Sequence, residues 1–380
     1  MRTLFSNFVK ISILNLKHLS LINFKNYEEL EINFSEGVNC ITGPNGVGKT
    51  NLLDAVYYLA LTKSYFNPID RQMVKHGNKM MMVKGEFNDE GKKEVVVCSI
   101  RSGHKKLVKR NRKEYAKISE HIGLIPIVII TPFDSFLILE GSDVRRKFID
   151  GIISQEDQGF LQTLIQYNRA LAQRNQLLKH FSREHHFDGP SLEVWDEKLI
   201  ELGEAVFEKR KAFIENFIPV FLKFYERIGG KEENANIEYR SSLSEGSFEQ
   251  QLKDSIQEDL IKQYTTKGVH KDDLVFTIDG YPLKKFGSQG QQKTFLLALK
   301  LAQFRQMQEK MGKAPILLLD DIYDKLDSNR MKHLMELVGE KGFEQIFITD
   351  THPTRVKEIF TNSGFDVNSI RINEGGTIDG

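Results

Sequence analysis

The chain has 380 residues, 40% of them hydrophobic and 28% charged, enough to bury a large core as two domains or as one domain with a substantial insertion. Its 53 basic and 52 acidic side chains leave a net charge of +1, so no global field recruits nucleic acid, and any such surface must come from local clustering. No apolar run approaches the roughly 20 residues of a membrane-spanning helix, and the start, MRTLFSNFVKISILNLKHLSL, is broken by Lys10 and Lys17 and lacks the small-residue cleavage site of a signal peptide.

Residues 1–12 read as an N-terminal extension expected to lack fixed structure. From residue 13, the runs ILNLKHLSLINF and ELEINF alternate apolar and polar residues and predict two strands, and VNCIT predicts a buried third. Cys40 lies in that third run and Cys98 in VVVCSI, as expected of reduced core thiols and not of a disulfide framework or zinc site; this points to the cytoplasm. NLLDAVYYLALT follows as a helix with apolar residues on most faces, suited to burial against a sheet. Between Met80 and Lys117, the β runs MMVKGEF, KEVVVCSI and KKLVKR are separated by the turn signals Asn88-Asp89-Glu90-Gly91 and Ser102-Gly103, which predicts antiparallel hairpins. Arg101, Lys105, Lys106, Lys109, Arg110, Arg112, Lys113 and Lys117 crowd this stretch against one acid, Glu114. The run Ile125–Ile130 reads as a return strand to the main sheet.

From Ser142 to Ile228 the pattern is helical, with Ser142 or Asp143 as N-cap and Gly229-Gly230 as terminator; Pro219 is expected to kink or divide the last helix. Leu192, Trp195, Leu199, Leu202 and Val206 recur at three- and four-residue spacing, a stripe read as packing within the chain ahead of a partner-binding face. The segment 231–270 is polar and weakly patterned and reads mostly as loop, with a helix near Phe248 to Tyr264. After Asp279-Gly280 an α/β rhythm resumes: a helix from Gln289 to Met311, a strand Ile316–Leu319, a helix near Asn329 to Lys341 and a strand Gln345–Thr349.

Gly43-Pro44-Asn45-Gly46-Val47-Gly48-Lys49-Thr50 fits the P-loop pattern G-x-x-x-x-G-K-[ST] and has its required context, a strand before and a helix after. Its glycines let backbone N–H groups turn inward around phosphates, and the helix N-terminus adds favourable partial charge. Lys49 would neutralise the β- and γ-phosphates of ATP, and Thr50 would ligate Mg²⁺. Ile316-Leu317-Leu318-Leu319-Asp320-Asp321 is a buried strand ending in two carboxylates. Asp320 is the metal candidate, and Asp321 stands where a general base or a residue orienting the attacking water is expected. Many ATPases of this type carry Glu there, so the shorter Asp is expected to make turnover slow.

Ser288, Gly290 and Gln291 lie in FGSQGQQ, at the start of a helix whose free N–H groups form an anion site. Within one chain that site would face away from the P-loop. Completion across a dimer, with Ser288 reaching the γ-phosphate held by a second copy, explains the second phosphate-binding helix start; a simple capped helix is the alternative. Asp324-Lys325-Leu326-Asp327 resembles the loop that passes between two such nucleotides. His352, after QIFIT, reads either as a γ-phosphate sensor or as a solvated loop histidine.

Taken together, these motifs resemble the bacterial RecF family, ABC-type ATPases related to the heads of SMC proteins, over nearly the whole chain from Ile13. The resemblance rests on NFKNYEELEINF, GPNGVGKTNLLDAVYYLALTKSY, TPFDSFLILEGSDVRRKFID, YNRALAQRNQLL, VWDEKL, GVHKDDLVFTIDG, FGSQGQQKTFLLALKLAQ and LLLDDIYDKLD. It implies an α/β fold: a β-rich ATP-binding lobe I at residues 13–140 and 271–380, with an inserted, mostly helical lobe II at 141–270. It also implies ATP-driven dimerisation, weak DNA-dependent ATP hydrolysis that resets the dimer, and loading of recombinase at gapped DNA with RecR and RecO, in repair, replication and the SOS response. By resemblance Gly43 to Thr50, Ser288, Gly290, Gln291, Asp320, Asp321 and Asp327 take the roles given above, and Lys25-Asn26-Tyr27 stands near the nucleotide. The chain departs from the family at Tyr65-Phe66-Asn67-Pro68, where a basic residue that contacts DNA is usual. The cluster 101–117 either supplies phosphate contacts instead or is a solvated charged hairpin.

Two other functions compete. An ATPase subunit of a membrane transporter would have a compact insertion, whereas Lys49 and Ser288 stand 239 positions apart. An ATPase fused to a nuclease of the overcoming-lysogenisation-defect type needs a further acidic metal-binding domain, and 28 residues follow His352 in this sequence. A full SMC protein would carry sustained heptads, and none separates the two halves of the site.

Overall fold

The computed structural model describes residues 12–229, 232–322, 330, 331, 334, 342–351, 366–373 and 378–379. The chain divides into two compact units, residues 1–134 with 293–380, and residues 135–292.

The first unit opens with β1 (Leu14–Phe24), β2 (Tyr27–Asn33), β3 (Gly37–Thr42) and helix α1 (Lys49–Leu61). It continues through β4 (Met80–Asp89), β5 (Lys92–Arg101), β6 (Leu107–Arg110), β7 (Lys113–Glu114) and β8 (Ile127–Ile130). β2, β1, β4, β5, β6 and β7 form an antiparallel sheet in that order. Its β4–β5 turn uses Glu90 and Gly91, both at positive φ, which is the geometry that matches the right-handed twist of a hairpin. The β6–β7 turn does the same with Asn111 and Arg112.

The second unit contains α2 (Phe136–Leu139), α3 (Ser142–Glu156), α4 (Gln158–Glu184), α5 (Gly189–Gly229), β9 (Ala235–Arg240), α6 (Phe248–Asp254) and α7 (Ile256–Lys262). β10 (Asp273–Ile278), β11 (Tyr281–Pro282) and α8 (Leu283–Phe286) complete it, and α9 (Gln289–Met311) carries the chain across the division. The first unit then adds β12 (Ile316–Leu319), β13 (Gln345–Asp350), β14 (Val367–Ile372) and β15 (Ile378–Asp379). A second sheet follows, ordered β15-β14-β3-β13-β12-β8 and parallel except for β15.

Helix α1 touches strands of both sheets, including β4, β5, β13 and β8. This explains its nearly continuous apolar sequence: Leu52, Leu53, Tyr58 and Leu59 are fully buried, on faces that no single sheet could cover. A helix hydrophobic all round belongs inside a core. Removing one such leucine side chain costs about 2–5 kcal/mol.

The helical unit is organised around two buried arginines. Arg174 of α4 is fully buried and pairs with Asp196 of α5 and Asp259 of α7, each at 2.5 Å. Arg210 of α5 pairs with Asp150 of α3 and with Asp272, each at 2.8 Å. Breaking such a pair strands a charge in low dielectric, at about 3–5 kcal/mol. Leu192, Leu199 and Val206 are buried in this unit, and α4 packs on α5.

Several expectations are corrected. Ser12 is tied to the fold, bridging to Lys313 and donating to the Gly312 carbonyl at 2.8 Å, while residues 1–11 lie outside the described residues. Gly141, not Ser142 or Asp143, caps α3. Of the two outcomes expected of Pro219, division does not occur: α5 runs unbroken for 41 residues, because the lost hydrogen bond and the ring's clash with the carbonyl of Glu215 are outweighed by burial of Phe213, Phe217, Phe221 and Tyr225. The polar segment after 231 contains strand β9, whose alternation Ala235, Ile237, Tyr239 against Asn236, Glu238, Arg240 is too weakly apolar to stand out. The helix from Phe248 is two helices that meet at Ser255. The helix near 329–341 lies mostly outside the described residues. The units divide at 134/135 and 292/293, where the sequence suggested 140/141 and 270/271, because β10 pairs with β9 and so groups with the helices.

Candidate nucleotide-binding site

Strand β3 sits between β13 and β14 in the parallel sheet and delivers the P-loop at its C-terminal edge, where such sheets bind ligands. The loop then turns into α1 through Gly43, Gly46 and Gly48, at φ of 148°, 84° and 115°. Gly48 is required on two counts. Its left-handed backbone suits no side chain, and an added Cβ would lie 2.9 Å from the Tyr27 hydroxyl and collide with the Asn26 amide. Because Gly48 offers no capping side chain and the first turn of α1 holds no acid, its leading N–H groups stay available to an anion.

Asn26 and Tyr27 support this loop from its backbone side. Asn26 Nδ2 donates to the Val47 carbonyl at 2.9 Å, and the Tyr27 hydroxyl to the Gly48 carbonyl at 3.0 Å. Asn51 Nδ2 donates to Asn26 Oδ1 at 2.7 Å. Lys25 pairs with the fully buried Asp54 at 2.5 Å. Asn26 and Tyr27 thus brace the loop, while Lys25 is tied to α1.

Lys49 is buried, and its Nζ donates to the carbonyls of Gly43 at 2.9 Å and Pro44 at 3.0 Å. Among the described residues no carboxylate lies within ion-pair distance of it; its hydrogen bonds go to neutral carbonyls, and the nearby Asp320 charge acts on it through space. That is the state a phosphate would relieve.

Thr50 Oγ1 donates to both oxygens of Asp320, at 3.0 and 3.1 Å. Thr349, at the end of β13, joins the two sides of this site: its hydroxyl donates to Asp320 Oδ1 at 2.8 Å and accepts the Asp321 N–H at 3.0 Å. The parallel register explains the meeting, since β12 lies beside β13 with Leu319 opposite Ile348. Burial pushes the Asp320 carboxyl above its ordinary range, against the opposing effect of the two threonine hydroxyls; nearby Asp321 adds to the rise. A hydroxyl and a buried carboxylate in contact form a hard-oxygen donor set whose unbalanced negative charge fits Mg²⁺. Asp321 adopts φ of 46°, a left-handed conformation that aspartate tolerates. Thr349 is the residue the sequence reading missed; the sole cue to it is its place at the end of the strand next to Asp320.

The other predicted residues lie elsewhere. Ser288, Gly290 and Gln291 begin α9 in the second unit. Ser288 Oγ accepts the Gln291 N–H at 3.1 Å, and Gln291 Oε1 accepts the Ser288 N–H at 2.7 Å, a reciprocal capping box. Ser288 is exposed, and among the described residues its hydroxyl accepts the Gln291 N–H and donates to no acceptor. Asp327, with the loop 324–327, and His352 lie outside the described residues. Of the basic cluster, Lys106 pairs with Asp70 and Arg110 with Glu94, each at 2.7 Å. Arg101, Lys105, Arg112, Lys113 and Lys117 are exposed. Tyr65 is engaged structurally, donating to Asp134 at 2.6 Å beside the buried Lys300–Asp134 pair.

A family model described as RecF/RecN/SMC N terminal domain matches residues 15–369. A protein named DNA replication and repair protein RecF from Flavobacterium johnsoniae is 49% identical over 346 residues, covering 91% of this chain and 96% of the relative. The chain belongs to the RecF family. A second family member of the same name, from Bacteroides thetaiotaomicron, is 45% identical and covers 95% of this chain and 97% of its own. A solved structure of the recombination mediator protein RecF with ATP, in the RecFOR pathway, superimposes with a TM-score of 0.87 at 30% identity, covering 99% of each chain. An Smc head domain from Pyrococcus furiosus shares the fold at a TM-score of 0.55 and 18% identity, covering 95% of this chain and 94% of that one. The ABC-type ATPase head read from the motifs is therefore the fold. No helix among the described residues is long and apolar enough to cross a membrane.

Proposed function

We propose that the chain is an ATP-dependent DNA-binding protein of recombinational repair: two copies close around ATP on duplex DNA beside a single-strand gap, and slow hydrolysis lets them part. The observation that carries this reading is the Thr50–Asp320 contact beneath a P-loop whose lysine has no acidic partner among the described residues, in a chain of the RecF family. The near relatives named RecF and the RecF–ATP structure support it over a transporter subunit or an ATPase–nuclease fusion.

The backbone N–H groups of the loop from Gly43 to Thr50 bind the phosphates, and Lys49 exchanges its carbonyl partners for phosphate oxygens. Thr50 and Asp320 would hold Mg²⁺, which would supply charge neutralisation for the phosphates. Asp321, its backbone held by Thr349, orients the attacking water. Ser288, Gly290 and the first turn of α9 meet the γ-phosphate of the second copy, while Gln291 caps that turn; Asp327 lies between the two nucleotides. DNA phosphates are met by the exposed lysines and arginines of the 101–117 hairpin, without sequence preference. RecR and RecO are the protein partners, in the cytoplasm, and the cycle serves repair, replication and the SOS response.

Fluorescence anisotropy on gapped duplex DNA, with and without ATP and across a salt series, tests the reading. Affinity should rise with ATP and fall steeply with salt, and reversing the charges of Arg112 and Lys113 should reduce the salt slope by about two. ATP-independent, salt-insensitive binding would contradict it.

A further inference from the structure

The amide of Gln291 joins two parts of the second unit. Its Oε1 accepts the Ser288 N–H at 2.7 Å, and its Nε2 donates to Glu233 Oε1 at 3.0 Å. Glu233 precedes β9, and its other oxygen, Oε2, accepts the hydroxyl of Tyr225 at 2.5 Å. Tyr225 is buried near the end of α5. A continuous chain of hydrogen bonds therefore runs from the core of the longest described helix to the exposed serine of the signature.

The chemistry of each link has a direction. An amide side chain has one donor end and one acceptor end, and a carboxylate only accepts. Glu233 therefore selects the Gln291 orientation in which NH₂ faces Glu233 and the oxygen faces the Ser288 N–H. With the amide reversed, two donors would confront each other at Ser288 and the capping box would open. Tyr225 in turn holds the carboxylate, since its phenol donates to the oxygen that Gln291 does not use.

We infer that Glu233 is a positioning residue for the signature, orienting Gln291 so that Ser288 is presented to the ATP of a second copy, and thereby linking α5 to dimer closure. It rests on the reading of Ser288 given under Proposed function. Within the second unit, the Glu233 carboxylate is shared between Gln291 and Tyr225.

Four full-length variants test it by sedimentation velocity over an ATP–magnesium titration. A fluorescent ATP analogue, used at protein concentrations where the chain is monomeric, reports P-loop binding separately. Glu233→Ala should raise the ATP concentration for half-maximal dimerisation about tenfold, the effect of one lost charge-assisted hydrogen bond. Glu233→Lys, a donor where an acceptor is needed, should raise it further. Glu233→Gln keeps an acceptor for Gln291 and should stay within about twofold of the parent. Tyr225→Phe, close in volume, should weaken dimerisation less than Glu233→Ala. All four should bind the analogue as the parent does.

If the parent dimerises with ATP and Glu233→Ala and Glu233→Lys dimerise equally well, the inference is overturned while the function stands. The same holds if their melting temperatures fall but dimerisation does not, since a purely structural contact behaves that way. A parent that stays monomeric with ATP removes the functional reading and this inference with it.

Discussion

The hydroxyl of Thr50, at the start of α1, touches both carboxylate oxygens of Asp320, at the end of β12, although 270 positions separate them. This contact holds a buried carboxylate whose desolvation the hydroxyls of Thr50 and Thr349 and the charge of Lys49 offset in part. Burial raises its folded pKa, so folding favours the protonated form. The favourable contribution is present below the pKa of an unfolded aspartate and is lost as pH rises through the folded value. At pH 7 the ionised group is therefore a cost. Asp320→Asn should stabilise the ligand-free protein at pH 7 by about 1–2 kcal/mol, while removing the rise in melting temperature that Mg²⁺–ATP gives the parent. Calorimetry with and without Mg²⁺–ATP checks both parts.

Gly48 lies where backbone strain and crowding coincide, at φ of 115° against Asn26 and Tyr27. Gly48→Ala should destabilise the first unit by about 2 kcal/mol. It should also abolish binding of a fluorescent ATP analogue, because relief of the collision displaces the brace that shapes the loop. A variant that melts and binds like the parent would show the loop to be more adaptable than this geometry implies.

Asp321 should act on hydrolysis and not on binding. Asp321→Asn keeps the side-chain volume but loses the negative charge, and phosphate release should fall about 100-fold. ATP should still drive dimerisation, so the dimer accumulates. Unchanged turnover would remove Asp321 from the reaction.

His270 should make the helical unit acid-sensitive. Its Nδ1 meets the Tyr167 hydroxyl at 2.7 Å and its Nε2 the Thr265 carbonyl at 2.9 Å. Burial, aided by Lys271 and Arg146, lowers its pKa to about 4, against the opposing effects of the Thr265 carbonyl and Asp259. Because the folded value is depressed, the contribution is complete above about pH 6.5 and is lost as pH falls toward 4, by up to about 3 kcal/mol. Denaturant melts between pH 7 and 4.5 should show that slope, and His270→Gln should flatten it.

Much of the first unit was legible because local rules and global packing agree there. The turn at Glu90-Gly91 and the glycines of the loop each have one physical solution, whereas the alternation read along β1 is interrupted by a register shift between Leu16 and His18 and by the buried Asn15 and Ser20. The helix α9 and strand β12 fall at the bounds read from the sequence. β9 was illegible because its inward residues, Ala235, Ile237 and Tyr239, include just one strongly apolar side chain. Pro219 does not end α5, because tertiary burial outweighs the local penalty. The segments YNRALAQRNQLL, VWDEKL and GVHKDD carried the resemblance without a visible chemical role. The structure supplies one: Arg174, Asp196, His270 and Asp272 from these segments build the buried polar networks of the helical unit. Pairings across 22 to 85 positions, such as Arg174 with Asp196 and Asp259, cannot be read from spacing. The same holds for Thr349, which contributes to the candidate site solely through strand register.

Sedimentation velocity of the full chain, with and without Mg²⁺–ATP, on gapped duplex DNA and without it, tests the central claim most directly. The account predicts a monomer without ATP, a dimer with ATP, and a tighter dimer on gapped DNA. Ser288→Arg should bind ATP yet remain monomeric, because a bulky side chain at the start of α9 blocks closure on the second copy's phosphate. A parent that stays monomeric with ATP bound, or a Ser288→Arg protein that dimerises normally, would contradict it.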